Sequence, residues 1–506
     1  MADFHRPAVA SGSQYLWAVG SALGATMHLS PADITSPPSA RRNALGWLCL
    51  IVPVVTVLLS PRPDSVKPEE WRLLAIFAGT VAGMIFQPLP CGAIVLLGVL
   101  SSALTGALPI KTALGGYADP IVWLVLAAFF ISRGMIRTGL GRRIAFHFIR
   151  AIGRHSLGLG YALVFTDMLL GMVIPSNAAR SGGVVFPVTR SLAEAYDSHP
   201  GPSARRLGAF LMTLVFQGDI IVCAMFLTGQ ASNGLIAKFA AQTAGFEISY
   251  TRWMIGAALP GLVSLAVVPC LIFWLFPPEI RHTPAAAEFA RRELQAMGRV
   301  TRNEAWMIGV FLGVGSLWIF STWHGMHSAT VALAGIGVLL VVGVLDWNDL
   351  MGDRAAWDVF IWYGGMVKLA EALGETSIPR LFAEATGRAT AGWSWPAALL
   401  GLLLVYFFAH YAFASITAHA SSMYIPFVLV TLAAGAPPAV AALSFAYLSN
   451  LDAALTHYGS TPAPIYFGAG YVTQRTWWGI GLAVAVANLL IWLTLGPIWW
   501  KLLGWW

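Results

Sequence analysis

Charged side chains are what this sequence has least of. Asp, Glu, Lys and Arg make up 10% of its 506 residues, against 57% hydrophobic ones, and the mean hydropathy is +0.70. So little charge cannot cover the surface of a water-soluble protein of this length, and the composition belongs to the membrane class. Cysteine is scarce too. Cys49, Cys91, Cys223 and Cys270 all lie in apolar segments; they read as small hydrophobes, which argues against a disulfide framework and a cysteine metal site. No Gly-rich tract carries the lysine of a phosphate loop. No catalytic pair or metal cluster sits at one end of the apolar runs, which argues against a membrane-embedded enzyme. The net charge of +7 does not imply nucleic acid, because the arginines fall mostly in short loops between apolar runs.

What is abundant is apolar length. Runs of roughly 17–25 apolar residues recur along the chain, so the fold class is an all-α polytopic membrane protein and not an outer-membrane barrel. Tryptophan is frequent, and Trp47, Trp71, Trp253, Trp477 and Trp478 fall at run ends, as interfacial anchors do. Residues 1–43 read as a leader, disordered or interfacial. Their apolar patch, Tyr15 to Leu29, is broken by Gly and Ser, and no signal-cleavage site follows. After Arg41 and Arg42, spans are expected at 44–60, 72–88, 90–108 and 119–137. The fourth delivers Arg133, Arg137, Arg142, Arg143, Arg150 and Arg154 to the side where the chain began. Basic flanks stay in the cytoplasm, so the N-terminus is expected there and the C-terminus in the periplasm, with the chain multi-pass in a bacterial inner membrane.

The pattern then becomes irregular. Apolar runs at 157–175 and 183–196 meet without a loop at Ile174-Pro175-Ser176-Asn177, and both flanks are basic. A re-entrant hairpin explains this, since non-helical backbone at membrane depth must be buried in protein or line a cavity. Run 207–246 is too long for one helix and is interrupted at Thr228-Gly229-Gln230-Ala231-Ser232-Asn233. Span 254–277 leads to a basic stretch, 278–303, with Arg281, Arg291, Arg292, Arg299 and Arg302. Spans follow at 305–321, 329–346 and 356–374. Runs 394–413 and 420–434 then meet at Ser415-Ile416-Thr417-Ala418-His419, run 438–472 is interrupted near His457 to Pro464, and 478–499 closes the chain. The order of straight helices, polar-tipped hairpin and broken helix repeats. The expected domains are therefore a first repeat, 44–277, with its tip near 176–178; a cytoplasmic linker, 278–303; and a second repeat, 304–506, with its tip near 415–417. Span counting inverts the second repeat, the arrangement of secondary transporters with discontinuous helices near the midplane.

The tips carry the candidate chemistry. Ser176, Asn177, Ser415 and Thr417, with Ser460 and Thr461 from the second break, offer hydroxyls, an amide and helix N-termini, which attract anions without formal charge. Thr228 and Asn233 would line the first break. Arg180 has two compatible readings: charge compensation near the site, or pairing with Asp167, Asp219 or hairpin carbonyls. His419 is the second candidate for charge compensation near the site; it reads either as a packing histidine or as a binding group whose pKa would make transport pH-sensitive. Asp219 and Asp452 read as helix-stabilising partners. His410, His419 and His457 lack short ligand spacing and a carboxylate-rich shell, so no metal site is expected.

These residues also carry a resemblance. Pro175-Ser-Asn-Ala-Ala-Arg-Ser-Gly-Gly-Val-Val-Phe-Pro187 resembles the first signature of the divalent anion:sodium symporter family, and Ser415-Ile-Thr-Ala-His419 the second. Leu455-Thr-His-Tyr-Gly-Ser-Thr-Pro-Ala-Pro-Ile-Tyr-Phe-Gly-Ala-Gly-Tyr471 is similar to the branch of citrate:succinate antiporters and plastid 2-oxoglutarate:malate translocators. So is Ala127-Ala-Phe-Phe-Ile-Ser-Arg-Gly-Met-Ile-Arg-Thr-Gly-Leu-Gly-Arg-Arg143. The resemblance covers about residues 44–500. It implies about eleven spans plus two hairpins, a homodimer, elevator movement, and small carboxylates such as succinate, malate, 2-oxoglutarate, tartrate or citrate as substrates. Sodium-coupled members carry Ser-Asn-Thr at both tips. Here Ala178 stands where the first Thr would be and Ile416 where the second Asn would be. A hard cation needs oxygen ligands, so sodium is in doubt as a co-ligand and no other cofactor is implied. The pattern resembles the family's exchangers. The rival readings are a sodium-coupled dicarboxylate symporter, a channel and, distantly, a membrane-embedded enzyme.

Overall fold

The computed structural model describes residues 40–378, 381 and 392–506. All but the last four residues of the expected leader, 1–43, lie outside the described residues. Regular structure among the described residues is helical, apart from one isolated antiparallel bridge between His155 and His282. Counting α-helices of six residues or more, the first half contains α1 (Ala40–Leu59), α2 (Pro68–Phe86), α3 (Cys91–Leu104), α4 (Pro120–Thr138), α5 (Leu140–Ile152), α6 (Ser156–Gly171), α7 (Phe186–Ala195), α8 (Gly208–Met225), α9 (Ser232–Ala244) and α10 (Tyr250–Leu275). The second half contains α11 (Pro284–Met297), α12 (Arg302–Ile319), α13 (Ser328–Val341), α14 (Arg354–Gly374), α15 (Trp395–Ala409), α16 (Ile416–Ala433), α17 (Pro438–Leu451), α18 (Ala463–Gly468) and α19 (Gln474–Leu502).

Apolar chain in a bilayer can bond its amides only within its own segment, which forces helices. Local chemistry sets their ends. Asp119 caps α4 by accepting from the Ile121 N–H, with Pro120 as first residue. Thr301 and Glu304 form a reciprocal capping box on α12, and Ser415 and Thr473 cap α16 and α19. Among the described residues six helices are long and apolar enough to cross a membrane, α4, α8, α10 and α19 among them. Outer faces are bare and apolar: Leu59, Leu104, Trp274, Val341 and Leu490 are all strongly exposed. Such a surface suits lipid.

The helices sort into two packed groups, and each half of the chain contributes to both. α1–α4 pack with α12–α14. α6–α10 pack with α15–α19, around α8 and α17. Every residue of α8 is buried, as is every residue of α17 after Pro438. Both expected breaks are present: α8 stops at Met225 and α9 starts at Ser232, while α17 runs into a short 3-10 turn at Asp452–Leu455 before α18.

Two features differ from expectation. The basic stretches read as loops contain α5 and α11, both amphipathic helices, which pack on each other through Phe146 and Phe289. Trp253 and Trp477, expected at an interface, are fully buried. Trp253 donates its indole N–H to the Ala224 carbonyl, one of those left open where α8 ends.

Candidate functional site

The first tip is an abrupt change of helix type. α6 ends at Gly171, and after Pro175 the chain resumes as a π-turn over Ala178–Val185 that passes directly into α7. The tip caps itself: Ser176 Oγ accepts from the Ala179 N–H at 3.2 Å and Asn177 Oδ1 from the Ala178 N–H at 3.0 Å. At the second tip, α15 runs into a 3-10 turn at His410–Ala412 and α16 begins at Ile416, with Ser415 as its cap. Ala178 and Ile416 put no side-chain oxygen at either tip.

Each tip bonds to the break of the opposite half. Thr461 in the second break donates its hydroxyl to Asn177 Oδ1 at 3.1 Å. Thr417 on the second tip donates to Ser232 at the first break, at 3.2 Å. Asn450 at the end of α17 donates to Asn233 Oδ1 at 3.0 Å, and Tyr466 on α18 shares hydrogen bonds with Ser181. Ser460 is buried, and its hydroxyl has no partner among the described residues.

Within each half, an acid–base group fastens the tip helix to its own broken helix. Arg180 lies four residues after Ser176 and is fully buried. Its Nε donates to Asp167 at 2.8 Å and its Nη2 to Asp219 at 2.7 Å; Nη1 donates to the carbonyls of Ile174 and Gly229. Pairing therefore engages the whole guanidinium fork. His419 lies four residues after Ser415. Its Nδ1 is 2.8 Å from Asp452 Oδ2 and 3.2 Å from His410 Nδ1. His410 Nδ1 is 3.3 Å from Asp452 Oδ1, and its Nε2 meets the Gly459 carbonyl at 3.0 Å. All three side chains are fully buried. Their donor atoms lie within 4.8 Å of one another, close enough for one small cation, a proton included, to bridge them. His457 stands apart and accepts from the Trp478 indole.

Thr228 and Asn233 lie in the first break but are turned to the protein's own backbone. Thr228 donates to the carbonyls of Gly171 and Met172, and Asn233 to those of Cys223 and Phe226. A broken helix exposes carbonyls that must be satisfied, and these two residues do so. Ser232, Gln230, Asn450, His410 and Asp452 were not singled out from sequence as binding groups. The first three lie in or beside buried apolar runs, and pairing across halves is invisible to hydropathy. Between α4 and the first tip, Ile121, Leu124, Val125 and Ala128 face Pro175, Leu227, Thr228, Gln230 and Gly234 across a cavity of about 10 Å³, far too small for a carboxylate. The site is closed.

Comparison with known proteins adds relatives to this geometry. Residues 41–506 match the family model described as the sodium:sulfate symporter transmembrane region. The YflS protein of Bacillus subtilis, whose name assigns it to malate transport, is 45% identical over 472 residues, covering 92% of this chain and 99% of that protein. Dicarboxylate transporter 1 of the Spinacia oleracea chloroplast is 42% identical over 462 residues, covering 91% of this chain and 81% of that one. The solved structure of the Alcanivorax borkumensis YdaH transporter superposes with a TM-score of 0.55 at 14% identity, over 92% of this chain and 99% of that chain; this is a likeness of fold alone.

Proposed function

The chain belongs to the sodium:sulfate symporter family of membrane transporters, the divalent anion:sodium symporters, and from that membership we propose that it exchanges small dicarboxylates across the bacterial inner membrane. The observation that carries the reading is the crossing of the tips, Asn177 onto Thr461 and Thr417 onto Ser232. Two hairpins that each close on the other half's broken helix are what a pseudo-two-fold axis demands. The crossing thus favours two inverted repeats, 44–277 and 304–506, each with a re-entrant hairpin, in a fold of about eleven spans. The N-terminus would be cytoplasmic and the C-terminus periplasmic. The packing of α1–α4 with α12–α14 suits the static scaffold of a homodimer, and the group around α8 and α17 suits an elevator that carries the site.

Substrate is proposed to sit at Ser176, Asn177, Ser415, Thr417, Ser460 and Thr461, with its carboxylates on the helix N-termini. The malate and dicarboxylate names of the relatives favour a four-carbon dianion. Exchange rather than sodium symport follows from the missing tip oxygens at Ala178 and Ile416. An empty site would keep donors such as the buried Ser460 hydroxyl unpaired, and carrying them closed through the membrane costs more than carrying them satisfied by an anion. In proteoliposomes, labelled malate should enter only when the lumen holds a dicarboxylate, with or without a sodium gradient. Sodium-driven entry into empty vesicles would reject exchange in favour of symport.

A further inference from the structure

The Asp452 carboxylate lacks a partner that its surroundings demand. The two imidazoles bond each other through Nδ1, while His419 Nε2 has no partner among the described residues. A carbonyl only accepts, so His410 donates from Nε2 to Gly459; its Nδ1 then accepts from the His419 Nδ1–H. That arrangement uses one proton per ring and leaves both rings neutral. Asp452 is fully buried, and neither of its oxygens meets a side-chain donor in hydrogen-bond geometry, although ring nitrogens stand 2.8 and 3.3 Å away and the neutral Ala453 backbone N–H lies beside it. An ionised carboxylate with no cation is among the costliest things to bury. One added proton removes the cost, whether it sits on the carboxyl or makes one ring an imidazolium.

The other half shows what the position requires. Arg180, the counterpart of His419 in its spacing from the tip serine, brings a permanent positive charge to Asp167 and Asp219. His419 can bring one only by taking up a proton. No Lys, Arg or Glu among the described residues forms an ion pair with the cluster. The ionisable groups facing it are its own three members and, from α15, the Tyr406 phenol, whose ring centre is 4.3 Å from that of His419 and whose hydroxyl is held by Ser449. From α8, Gln217 reaches the Ala454 carbonyl beside it with a neutral amide. From α19, Gly481 packs against the Ala454 and Leu455 carbonyls.

We propose that His410, His419 and Asp452 form a binding site for one proton, and that settling a dicarboxylate on the second tip draws this proton in. The inference rests on the carboxylate reading above. The cluster is one helical turn behind Ser415, since the His419 N–H bonds the Ser415 carbonyl, and one residue from Ser460 through Gly459. A dianion that close raises proton affinity roughly tenfold or more in a weakly screened interior.

The test is calorimetric titration of the full chain in detergent with L-malate, in two buffers of different ionisation enthalpy, across about pH 6 to 9. The expected result is a buffer-dependent heat reporting uptake of up to one proton per malate, with the two buffers coinciding in Asp452→Asn. Coincident heats in the unaltered chain at every pH overturn the linkage. Uptake that survives Asp452→Asn moves the proton elsewhere, the Asp167–Asp219 pair included, and overturns the assignment. A stoichiometric divalent metal in the purified protein, lost in Asp452→Asn, replaces the proton with a metal ion and overturns it too. If malate gives no heat in either buffer, the carboxylate reading fails by itself. The proton is then read from thermal unfolding, where stability should fall as pH rises above about 7 because the folded cluster keeps part of a proton that the unfolded chain has released. Asp452→Asn should flatten that fall, and an unchanged slope overturns the site.

Discussion

The Thr461 hydroxyl donates to the Asn177 side-chain oxygen at 3.1 Å across 284 residues of sequence. This bond closes the first tip onto the second half, and a substrate settling between them must share or displace it. A neutral hydrogen bond is worth about 1 kcal/mol. Asn177→Ala and Thr461→Val should each raise the KM for malate exchange about five- to tenfold while the protein remains folded in the membrane. Ser176→Ala and Ser415→Ala should weaken exchange in the same direction. Unchanged KM in all four variants would remove the tips from the binding site.

Arg180→Gln tests the first acid–base group. Removing the guanidinium leaves two fully buried carboxylates facing each other, a loss of about 3–5 kcal/mol. Folded yield and unfolding temperature should both drop, and adding Asp219→Asn should recover part of the loss. Arg180→Lys should fare little better, since one ammonium cannot reproduce the fork that spans Asp167, Asp219 and the Gly229 carbonyl. Wild-type stability in Arg180→Gln would show that the triad does not hold the hairpin.

Gly459 leaves room for His410. A Cβ there would stand 2.5 Å from His410 Nε2 and 2.8 Å from Thr456 Oγ1. Gly459→Ala should therefore push the imidazole off the Gly459 carbonyl at a cost of about 1–3 kcal/mol, seen as a lower unfolding temperature and slower exchange. A variant with unaltered stability and exchange would refute the close packing.

Glu304 lies at the start of α12, outside its apolar stretch. Burial alone would raise its pKa. Hydrogen bonds from the Arg143 guanidinium and from Thr301 outweigh burial and hold the carboxyl below its usual range. A lowered folded pKa contributes stability above the unfolded value, about 4.3, and that stability is lost as pH falls through the folded value. Unfolding temperature should fall more steeply between about pH 5 and about pH 3 in the unaltered chain than in Glu304→Gln. Parallel curves would deny the pair its role.

Much of the fold is legible in the residues. Proline and polar tips at Pro175–Asn177 and Ser415–Thr417 mark where helices stop, because an apolar run has no other cheap place to end. The amphipathic α5 and α11 are hidden by their arginines, which a search for apolar spans counts as loop. The partners of Arg180 are among the acids named from sequence. The meeting of Asp452 with His410 and His419 is not legible, because His410 sits on the far side of the tip, and its approach to His419 depends on the 3-10 turn at His410–Ala412. In an apolar interior every helix face looks alike, so which faces meet is decided by packing that hydropathy does not encode.

α5 and α11 run antiparallel between the two packed groups, and their ends are not alike. At one end both pass through glycines in the left-handed region, Gly139 with φ +74° and Gly298 with φ +68°, beside the Arg143–Glu304 clasp. At the other end backbone stitches bind the chain at both turns: Ser156 N–H to the Arg281 carbonyl, and Thr283 N–H to the Arg154 carbonyl. The pair is thus a connecting rod, with its pivots at the outer group and its rigid joint on the base of the first hairpin. In the proposed elevator, its fixed length, about 20 Å for the 13 or 14 residues of each helix, would cap the stroke of the group around α8 and α17. Shortening either helix by one turn should shorten that stroke before it disturbs the site.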